Sequence, residues 1–225
     1  MAVQVLKRES NDPRFIVVEG PIGVGKTSLA KRLAESLSGE LVLEQVEQNP
    51  FLEQFYKSRN TGALPAQLFF LFQRARQLEE LRQSDMFSPV RIADFHIAKD
   101  RLFAELNLNR DELELYNQIY DKLDIEVPEP DLVVYLQASA DALMSRITQR
   151  SIPYERNIDR HYMEKIADAY ARFFYSYNDT PLLIVNASSI DPIRNDADYD
   201  ALFEQVSRIT GGRHFFNPAA AVAFA

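Results

Sequence analysis

The chain has 225 residues and a formal net charge of -8 at pH 7. This acidic balance argues against broad electrostatic binding to nucleic acid or to an anionic membrane, since both need a basic face on the protein. The sequence contains no cysteine, which excludes disulfides, thiolate metal sites and cysteine nucleophiles. No apolar run approaches the ~18 residues of a membrane span, and residues 1–12 do not resemble a signal peptide. We therefore expect a cytoplasmic protein with small-molecule partners.

Short apolar runs alternate with amphipathic stretches, a pattern typical of a parallel α/β sheet with helical crossovers. Five strands are predicted, at residues 14–19, 41–45, 90–94, 132–136 and 182–185. Helices are predicted at residues 26–37, 49–57, 65–81, 110–123, 140–150, 159–177 and 198–209. Since the strands are apolar almost throughout, we expect burial on both faces. We predict one doubly wound domain over residues 14–210 and a tail over residues 211–225, alanine-rich after Pro218.

A phosphate-binding motif follows the first predicted strand. Residues 20–27 read GPIGVGKT, which fits the P-loop pattern and lies between an apolar strand and an amphipathic helix. Glycines are needed because the loop surrounds phosphate with backbone N–H groups at φ angles that other residues avoid. Lys26 would reach the β- and γ-phosphates of ATP, and the Thr27 hydroxyl would hold Mg²⁺. The predicted ATP-binding residues are Gly20, Pro21, Ile22, Gly23, Val24, Gly25, Lys26, Thr27 and Ser28.

The motifs after the P-loop form an ordered series. They are EQVE from Glu44, NPFL from Asn49, the pair Gln67 and Arg74, the segment from Asp94 to KDRLFA at residues 99–104, and Arg146, Arg150 and Glu155. With the P-loop, this series resembles the deoxynucleoside kinase family, and more closely its bacterial deoxyadenosine/deoxyguanosine kinase branch, over residues 15–209. The resemblance implies a P-loop NTPase-type, five-stranded parallel sheet flanked by helices, with ATP and Mg²⁺ as cofactors.

Two acidic residues lie at the carboxyl ends of predicted strands, where open α/β sheets bind ligands. Glu44 ends the second strand, and the resemblance makes it the general base that accepts the proton of the acceptor hydroxyl. Glu47 is close enough in sequence to be a rival for this role. Asp94 ends the third strand, and the resemblance implies that it helps to hold Mg²⁺; its alternative role is to cap the following helix.

The resemblance also implies which residues bind the deoxynucleoside. Gln67 and Arg74 lie about two turns apart on one helix, with Phe70 and Leu71 between them as an apolar floor for a base. Gln67 is assigned to the base edge, and Arg74 is paired with Asp100 beside it. The sugar 3′-hydroxyl is assigned to two further residues, Tyr56 and Glu155.

Arg146 and Arg150 are four residues apart on a predicted helix, so they would project together and could clamp the transferring phosphoryl group. The resemblance assigns them to a cationic lid and, with Glu44 and Lys26, to the catalytic set. The sequence departs from the family in two places. Phe95 and His96 follow Asp94 where animal relatives have arginine and serine, and Ile152 stands where a further lid arginine is expected, with Arg156 nearby.

These residues favour an ATP- and Mg²⁺-dependent deoxynucleoside kinase of nucleotide salvage, acting on the 5′-hydroxyl with purine deoxynucleosides preferred. One alternative is a thymidylate-type nucleoside monophosphate kinase, which needs arginines beside its acceptor phosphate in place of a carboxylate base. Another is a regulatory P-loop protein that has lost catalysis. The family is commonly dimeric, and the helices predicted at residues 65–81 and 110–123 offer surplus apolar surface, so we predict a homodimer.

Overall fold

The computed structural model describes residues 14–83, 90–123 and 128–217. In this part of the chain the strands are β1 (Arg14–Glu19), β2 (Glu40–Val42), β3 (Val90–Ala93), β4 (Leu132–Gln137), β5 (Leu182–Asn186) and β6 (Arg213–Phe216). The helices are α1 (Lys26–Leu37), α2 (Leu52–Lys57), α3 (Arg59–Gln83), α4 (Lys99–Asn107), α5 (Arg110–Lys122), α6 (Ala140–Arg150), α7 (Arg160–Ser176) and α8 (Asp196–Arg208). Short 3-10 helices occupy Val46–Gln48 and Pro153–Asn157.

The six strands form one parallel sheet in the order β2-β3-β1-β4-β5-β6. β1 lies inside the sheet, where Ile16 pairs with Ile92 of β3 on one side and with Leu132 of β4 on the other. All three side chains are inaccessible to solvent. Burial on both faces explains why these strands are apolar runs and not alternating patterns. The carboxyl ends of β1, β2 and β3 meet at one edge, which brings the predicted site residues together.

The α/β fold class predicted from the sequence is confirmed, but the strand count is corrected from five to six. β6 lies in the segment that was predicted to be tail, and the residues after Asn217 lie outside the described part of the chain. This strand could not be predicted from the sequence pattern, because it has only four residues, follows Gly211-Gly212 and leaves Phe215 largely exposed. Its place in the sheet comes from pairing with β5, which no local signal reveals.

Several helix and strand boundaries also differ from the predictions, and one helix was not predicted. The second strand ends at Val42 and not at residue 45. α3 begins six residues before Pro65, although a proline inside a helix removes a hydrogen bond. Packing of α2 against α3 provides the tertiary contact that offsets this loss. α4 was not predicted, because it is short and has Ala98, without a capping side chain, at its N-terminus.

Candidate active site

The P-loop connects β1 to α1 and closes tightly around its own backbone. Gly23 and Gly25 have φ angles of 82° and 105°, a region that glycine adopts without strain. A Cβ atom at Gly23 would lie 2.7 Å from Cγ1 of Ile147, so this position also requires the absence of a side chain. The loop therefore has the backbone geometry that the motif demands, and α6 packs directly against it.

Lys26 is the first residue of α1, and its ammonium group turns back onto the loop. Nζ donates to the carbonyl oxygens of Gly20 at 2.7 Å and of Pro21 at 3.2 Å. Burial and the nearby charge of Lys99 lower the pKa of Lys26 to about 8, although neighbouring carboxylates oppose the shift. An anionic ligand in the loop would favour the charged form, so the site suits the phosphates of a nucleotide.

Glu44 lies two residues beyond β2, with its carboxylate held between two cations. Arg74 of α3 donates to Oε1 from Nε at 2.8 Å and also from Nη2, and Lys99 of α4 donates to Oε2 at 2.9 Å. Burial opposes ionisation of Glu44, but the charges of Arg74, Lys99 and Lys26 and the Lys99 hydrogen bond outweigh it and lower its pKa to about 2. Glu44 is therefore ionised at neutral pH, whereas its rival Glu47 is exposed.

Arg74 also pairs with Asp100, as the sequence comparison implied. Its Nη1 lies 2.6 Å from Oδ1 of Asp100, a side chain with no solvent exposure. This contact lacks hydrogen-bond geometry, and both carboxylate oxygens of Asp100 lack a hydrogen bond to the described residues. Burial raises the pKa of Asp100, although the charge of Arg74 opposes the shift. The bond from Arg74 to Glu44 was not predicted.

Asp94 joins the P-loop helix to the loop that carries Glu44. Oδ2 accepts a hydrogen bond from the Thr27 hydroxyl at 2.5 Å, and Oδ1 accepts one from the backbone N–H of Glu44 at 2.7 Å. A hydroxyl and a carboxylate are hard oxygen donors that suit Mg²⁺. Among the described residues no cluster of three or more metal-ligating side chains exists. Mg²⁺ fits such a sparse site because it normally takes one or two protein ligands, with phosphate and water completing the shell.

Glu19 is a buried residue of this site that the sequence reasoning missed. Its carboxylate accepts hydrogen bonds from the backbone N–H groups of Gly20 at 2.8 Å and His96 at 2.7 Å, and from the Tyr170 hydroxyl at 3.1 Å. It thereby ties the start of the P-loop to the segment after β3 and to α7. The signal was present, because a glutamate ends an otherwise apolar strand at the centre of the sheet.

Tyr56 and Glu155 come from different elements that pack together, α2 and the 3-10 helix Pro153–Asn157. Both side chains are buried, and the Tyr56 ring stacks on Tyr154 with centroids 5.8 Å apart. Burial, with the nearby Tyr162 and Glu155, raises the pKa of Tyr56 well above its ordinary value. The structure thus brings the two predicted sugar-binding residues into one region. Tyr154 was not predicted.

The two predicted lid arginines do not converge in this structure. Arg146 donates to two backbone carbonyl oxygens, of Val24 at 3.1 Å and of Ala187 at 2.6 Å. Arg150 forms a bidentate pair with Glu155, with Nε 2.8 Å from Oε2. Arg146 therefore braces the P-loop against the end of β5, while Arg150 holds a predicted substrate residue.

The predicted base-binding face of α3 is only partly formed as expected. Gln67 and Arg74 are both buried, and the Arg74 guanidinium lies 5.0 Å from the centroid of the Phe70 ring. Leu71 points elsewhere, because it packs with Ala104 and Tyr116 in a second small core between α3, α4 and α5. Phe70 is therefore the apolar residue beside the predicted base-edge groups.

A separate cleft of about 810 Å³ lies between α6, α7 and the carboxyl ends of β4, β5 and β6. It contains none of the predicted site residues, so the chemistry is assigned to the charged cluster at the P-loop. Within the described part of the chain, no helix is long and apolar enough to cross a membrane.

A parallel α/β sheet, a P-loop at the end of one of its inner strands and the Glu44 carboxylate at the same edge of the sheet define a P-loop kinase. Comparison with known proteins makes the class specific. The family model described as deoxynucleoside kinase matches residues 16–210, and the chain belongs to this family of phosphotransferases.

Similar proteins come from several bacteria. A deoxyguanosine kinase of Bacillus subtilis is 35% identical over 207 residues, which cover 88% of this chain and 99% of the relative. A deoxyadenosine kinase of Lactobacillus acidophilus is 28% identical over 196 residues, covering 81% and 89%. The structure of deoxyadenosine kinase from M. mycoides with bound dATP has a TM-score of 0.75 and 25% identity, covering 86% of this chain and 99% of that one.

Proposed function

We propose that this kinase transfers the γ-phosphoryl group of ATP to the 5′-hydroxyl of a purine deoxynucleoside, with Glu44 as the general base. The observation that carries the proposal is the position of the Glu44 carboxylate, which lies just beyond β2 at the carboxyl edge of the sheet and is held there by Arg74 and Lys99. A carboxylate can accept the proton of a hydroxyl nucleophile, whereas an acceptor that already carries phosphate would need arginines there. The site thus favours a nucleoside over a nucleoside monophosphate.

The phosphate side of the reaction is assigned to the P-loop. Its backbone N–H groups and Lys26 would hold the β- and γ-phosphates, and the N-terminus of α1 adds a favourable dipole. Thr27 and Asp94 would hold Mg²⁺, which when bound neutralises part of the phosphate charge. The short contact between these two side chains supports this assignment, since both already face the same point.

To act as lid residues, Arg146 and Arg150 would have to contact the transferring phosphoryl group in place of their present hydrogen-bond partners or in addition to them. Arg146 already touches the P-loop carbonyl of Val24, so it lies next to the predicted phosphate site. Arg150 is bound to Glu155, and it could turn to the transferring phosphoryl group when a sugar hydroxyl takes its place on Glu155. Exposed Arg156, which has no ion pair with the described residues, is the further cation available in this segment.

The preference for a purine is assigned to Gln67, Arg74 and Asp100. Nη1 of Arg74 has two N–H donors, so beside its contact with Asp100 it can donate to O6 or N7 of guanine. Paired with Arg74, Asp100 would accept a hydrogen bond from the exocyclic amine of adenine, and guanine would be accommodated if Asp100 were protonated or turned aside. The similarity to a deoxyguanosine kinase and a deoxyadenosine kinase supports the same choice.

We also propose that the kinase is a cytoplasmic homodimer. Phe72 of α3 and Leu115 of α5 are 51% and 46% exposed, on two helices that pack side by side. Exposed apolar groups of this size on adjacent helices suit an interface between two copies.

The substrate assignment is tested by steady-state kinetics with ATP, Mg²⁺ and each of the four deoxynucleosides. We expect the highest kcat/KM for deoxyguanosine or deoxyadenosine, a lower value for deoxycytidine and the lowest for thymidine. Each buried group that a wrong base leaves unpaired costs ~1–3 kcal/mol, enough for about tenfold discrimination. A highest value for thymidine would contradict the roles of Arg74 and Asp100, while activity with none of the four would contradict the proposed reaction.

A further inference from the structure

Lys99 occupies an unusual position for a cation. It is the first residue of α4, where the helix dipole is positive and a cation is disfavoured. Its side chain is also buried, with only 5% of the residue exposed, and lysine is seldom buried without a partner. Asp100, the next residue, is bound to Arg74 and not to Lys99. A buried lysine at the N-terminus of a helix suggests a role in the site and not only in packing.

The ammonium group of Lys99 faces the reaction centre. Nζ donates to Oε2 of Glu44 at 2.9 Å and lies 3.9 Å from Oε2 of Glu19, a distance of charge attraction and not of hydrogen bonding. An ammonium group has three N–H donors, and only one of them is used in the described part of the chain. Lys99 therefore has donors left for an oxygen that enters between Glu44 and the P-loop.

The lone pairs of the Glu44 carboxylate that remain unused determine where the 5′-hydroxyl of the deoxynucleoside can bind. Each carboxylate oxygen offers about two lone-pair positions. On Oε1 both are taken, by Nε and Nη2 of Arg74. On Oε2 only the Lys99 ammonium is bound. A hydroxyl that donates to Glu44 without displacing Arg74 must use Oε2, and its oxygen then lies beside the Lys99 ammonium.

We infer that Lys99 is a second active-site cation, which fixes the reacting oxygen of Glu44 and donates a hydrogen bond to the acceptor oxygen during phosphoryl transfer. This inference rests on the proposed role of Glu44. In the step, the hydroxyl O–H bond breaks and its proton passes to Oε2. The hydroxyl oxygen bonds to the γ-phosphorus, and the bond from that phosphorus to the bridging oxygen of ADP breaks. Lys99 remains protonated and stabilises the negative charge that gathers on the oxygens.

A purely structural counter-ion would give a different result on mutation. If Lys99 only neutralised Glu19 and Glu44, its loss would lower stability and leave kcat per folded molecule unchanged. If it touches the acceptor oxygen in the transition state, its loss lowers kcat while substrate affinity changes little. The ratio of the effects on kcat and KM therefore separates the two roles.

The experiment compares Lys99→Met, Lys99→Arg and Lys99→Gln with the wild type, with Lys165→Met, an exposed lysine on α7, as the matched control. For each variant we would measure kcat, both KM values, ATP affinity by calorimetry, and thermal unfolding. For Lys99→Met we expect kcat about 10²-fold lower, with ATP affinity and both KM values within about threefold. Lys99→Arg should recover about tenfold of the loss, and Lys165→Met should match the wild type.

A folded Lys99→Met enzyme with kcat within about threefold of the wild type would overturn the inference. So would a loss of ATP affinity without a change in kcat. If Lys99→Met does not fold, Lys99→Gln decides, because it removes the positive charge that the inference requires; near-normal kcat in that variant also overturns the inference. Glu44→Gln is measured in parallel. If it is active, the role of Glu44 fails, whereas an inactive Glu44→Gln beside a fully active Lys99→Met defeats only the role of Lys99.

Discussion

The guanidinium of Arg74 donates to a single oxygen of Glu44 from two of its nitrogens, one of them at 2.8 Å. Its third nitrogen lies 2.6 Å from Asp100. One arginine thus joins the predicted catalytic carboxylate to the predicted base-reading carboxylate. Because the guanidinium group is planar, it fixes the positions of the two carboxylates relative to each other.

Arg74 should be the cation on which the local stability of the site depends most. Replacing it by methionine leaves buried Asp100 without its ion pair, and breaking a buried pair costs ~3–5 kcal/mol of unfolding free energy. We expect a loss of this size in urea denaturation. The control is Arg76→Met on the same helix, which removes an exposed pair with Glu80 and should change little. Equal losses in the two variants would show that burial of the Arg74 pairs is unimportant.

Gly23 should tolerate no side chain. In Gly23→Ala the new Cβ would meet Ile147 at 2.7 Å with the backbone at a φ of 82°, so the loop must move. We expect ATP affinity measured by calorimetry to fall by at least about tenfold and the protein to lose ~1–3 kcal/mol of stability. Gly211→Ala is the control, because an added Cβ there meets nothing within 4 Å. Normal ATP affinity in Gly23→Ala would contradict the P-loop account.

The proposed dimer should depend on Phe72 and Leu115. We expect light scattering at micromolar concentration to give twice the mass of one chain for the wild type. The double variant Phe72→Glu, Leu115→Glu should give the monomer mass, since buried charges without partners oppose association. Tyr175→Glu changes an aromatic residue on α7 that is 81% exposed, and it should leave the mass unchanged. A monomeric wild type would contradict the proposal.

Much of this architecture was accessible from the sequence because its signals are local. The P-loop can be recognised from its glycines and the central strands from their apolar runs, and α1 has its predicted bounds. β6 was not predicted because its formation depends on pairing with β5. α4 was not predicted because no capping side chain marks its N-terminus. The pattern of residues within a segment does not show which other segments it packs against.

The site was predicted as a set of residues, but of the ion pairs within it only that of Arg74 with Asp100 was implied by the sequence. Arg146 and Arg150 share a helix face, yet they separate because Arg146 donates to Val24 and Ala187, which are distant in the chain, whereas Arg150 pairs with Glu155, only five residues further on. In the sequence Lys99 is one basic residue of a motif, and its hydrogen bond to Glu44 forms only in the folded protein. Side-chain pairing across elements is a tertiary property, so spacing along the chain could not give it.

The most direct test of the account is the turnover of Glu44→Gln beside that of Glu47→Gln, with ATP and the best deoxynucleoside. Glu47 lies three residues away on the exposed 3-10 helix and serves as the matched control. We predict that Glu44→Gln keeps the fold and ATP binding and lowers kcat by about 10²-fold or more, as expected for loss of a general base. Glu47→Gln should retain wild-type turnover. Near-normal turnover in Glu44→Gln would remove Glu44 from the mechanism and contradict the proposed chemistry.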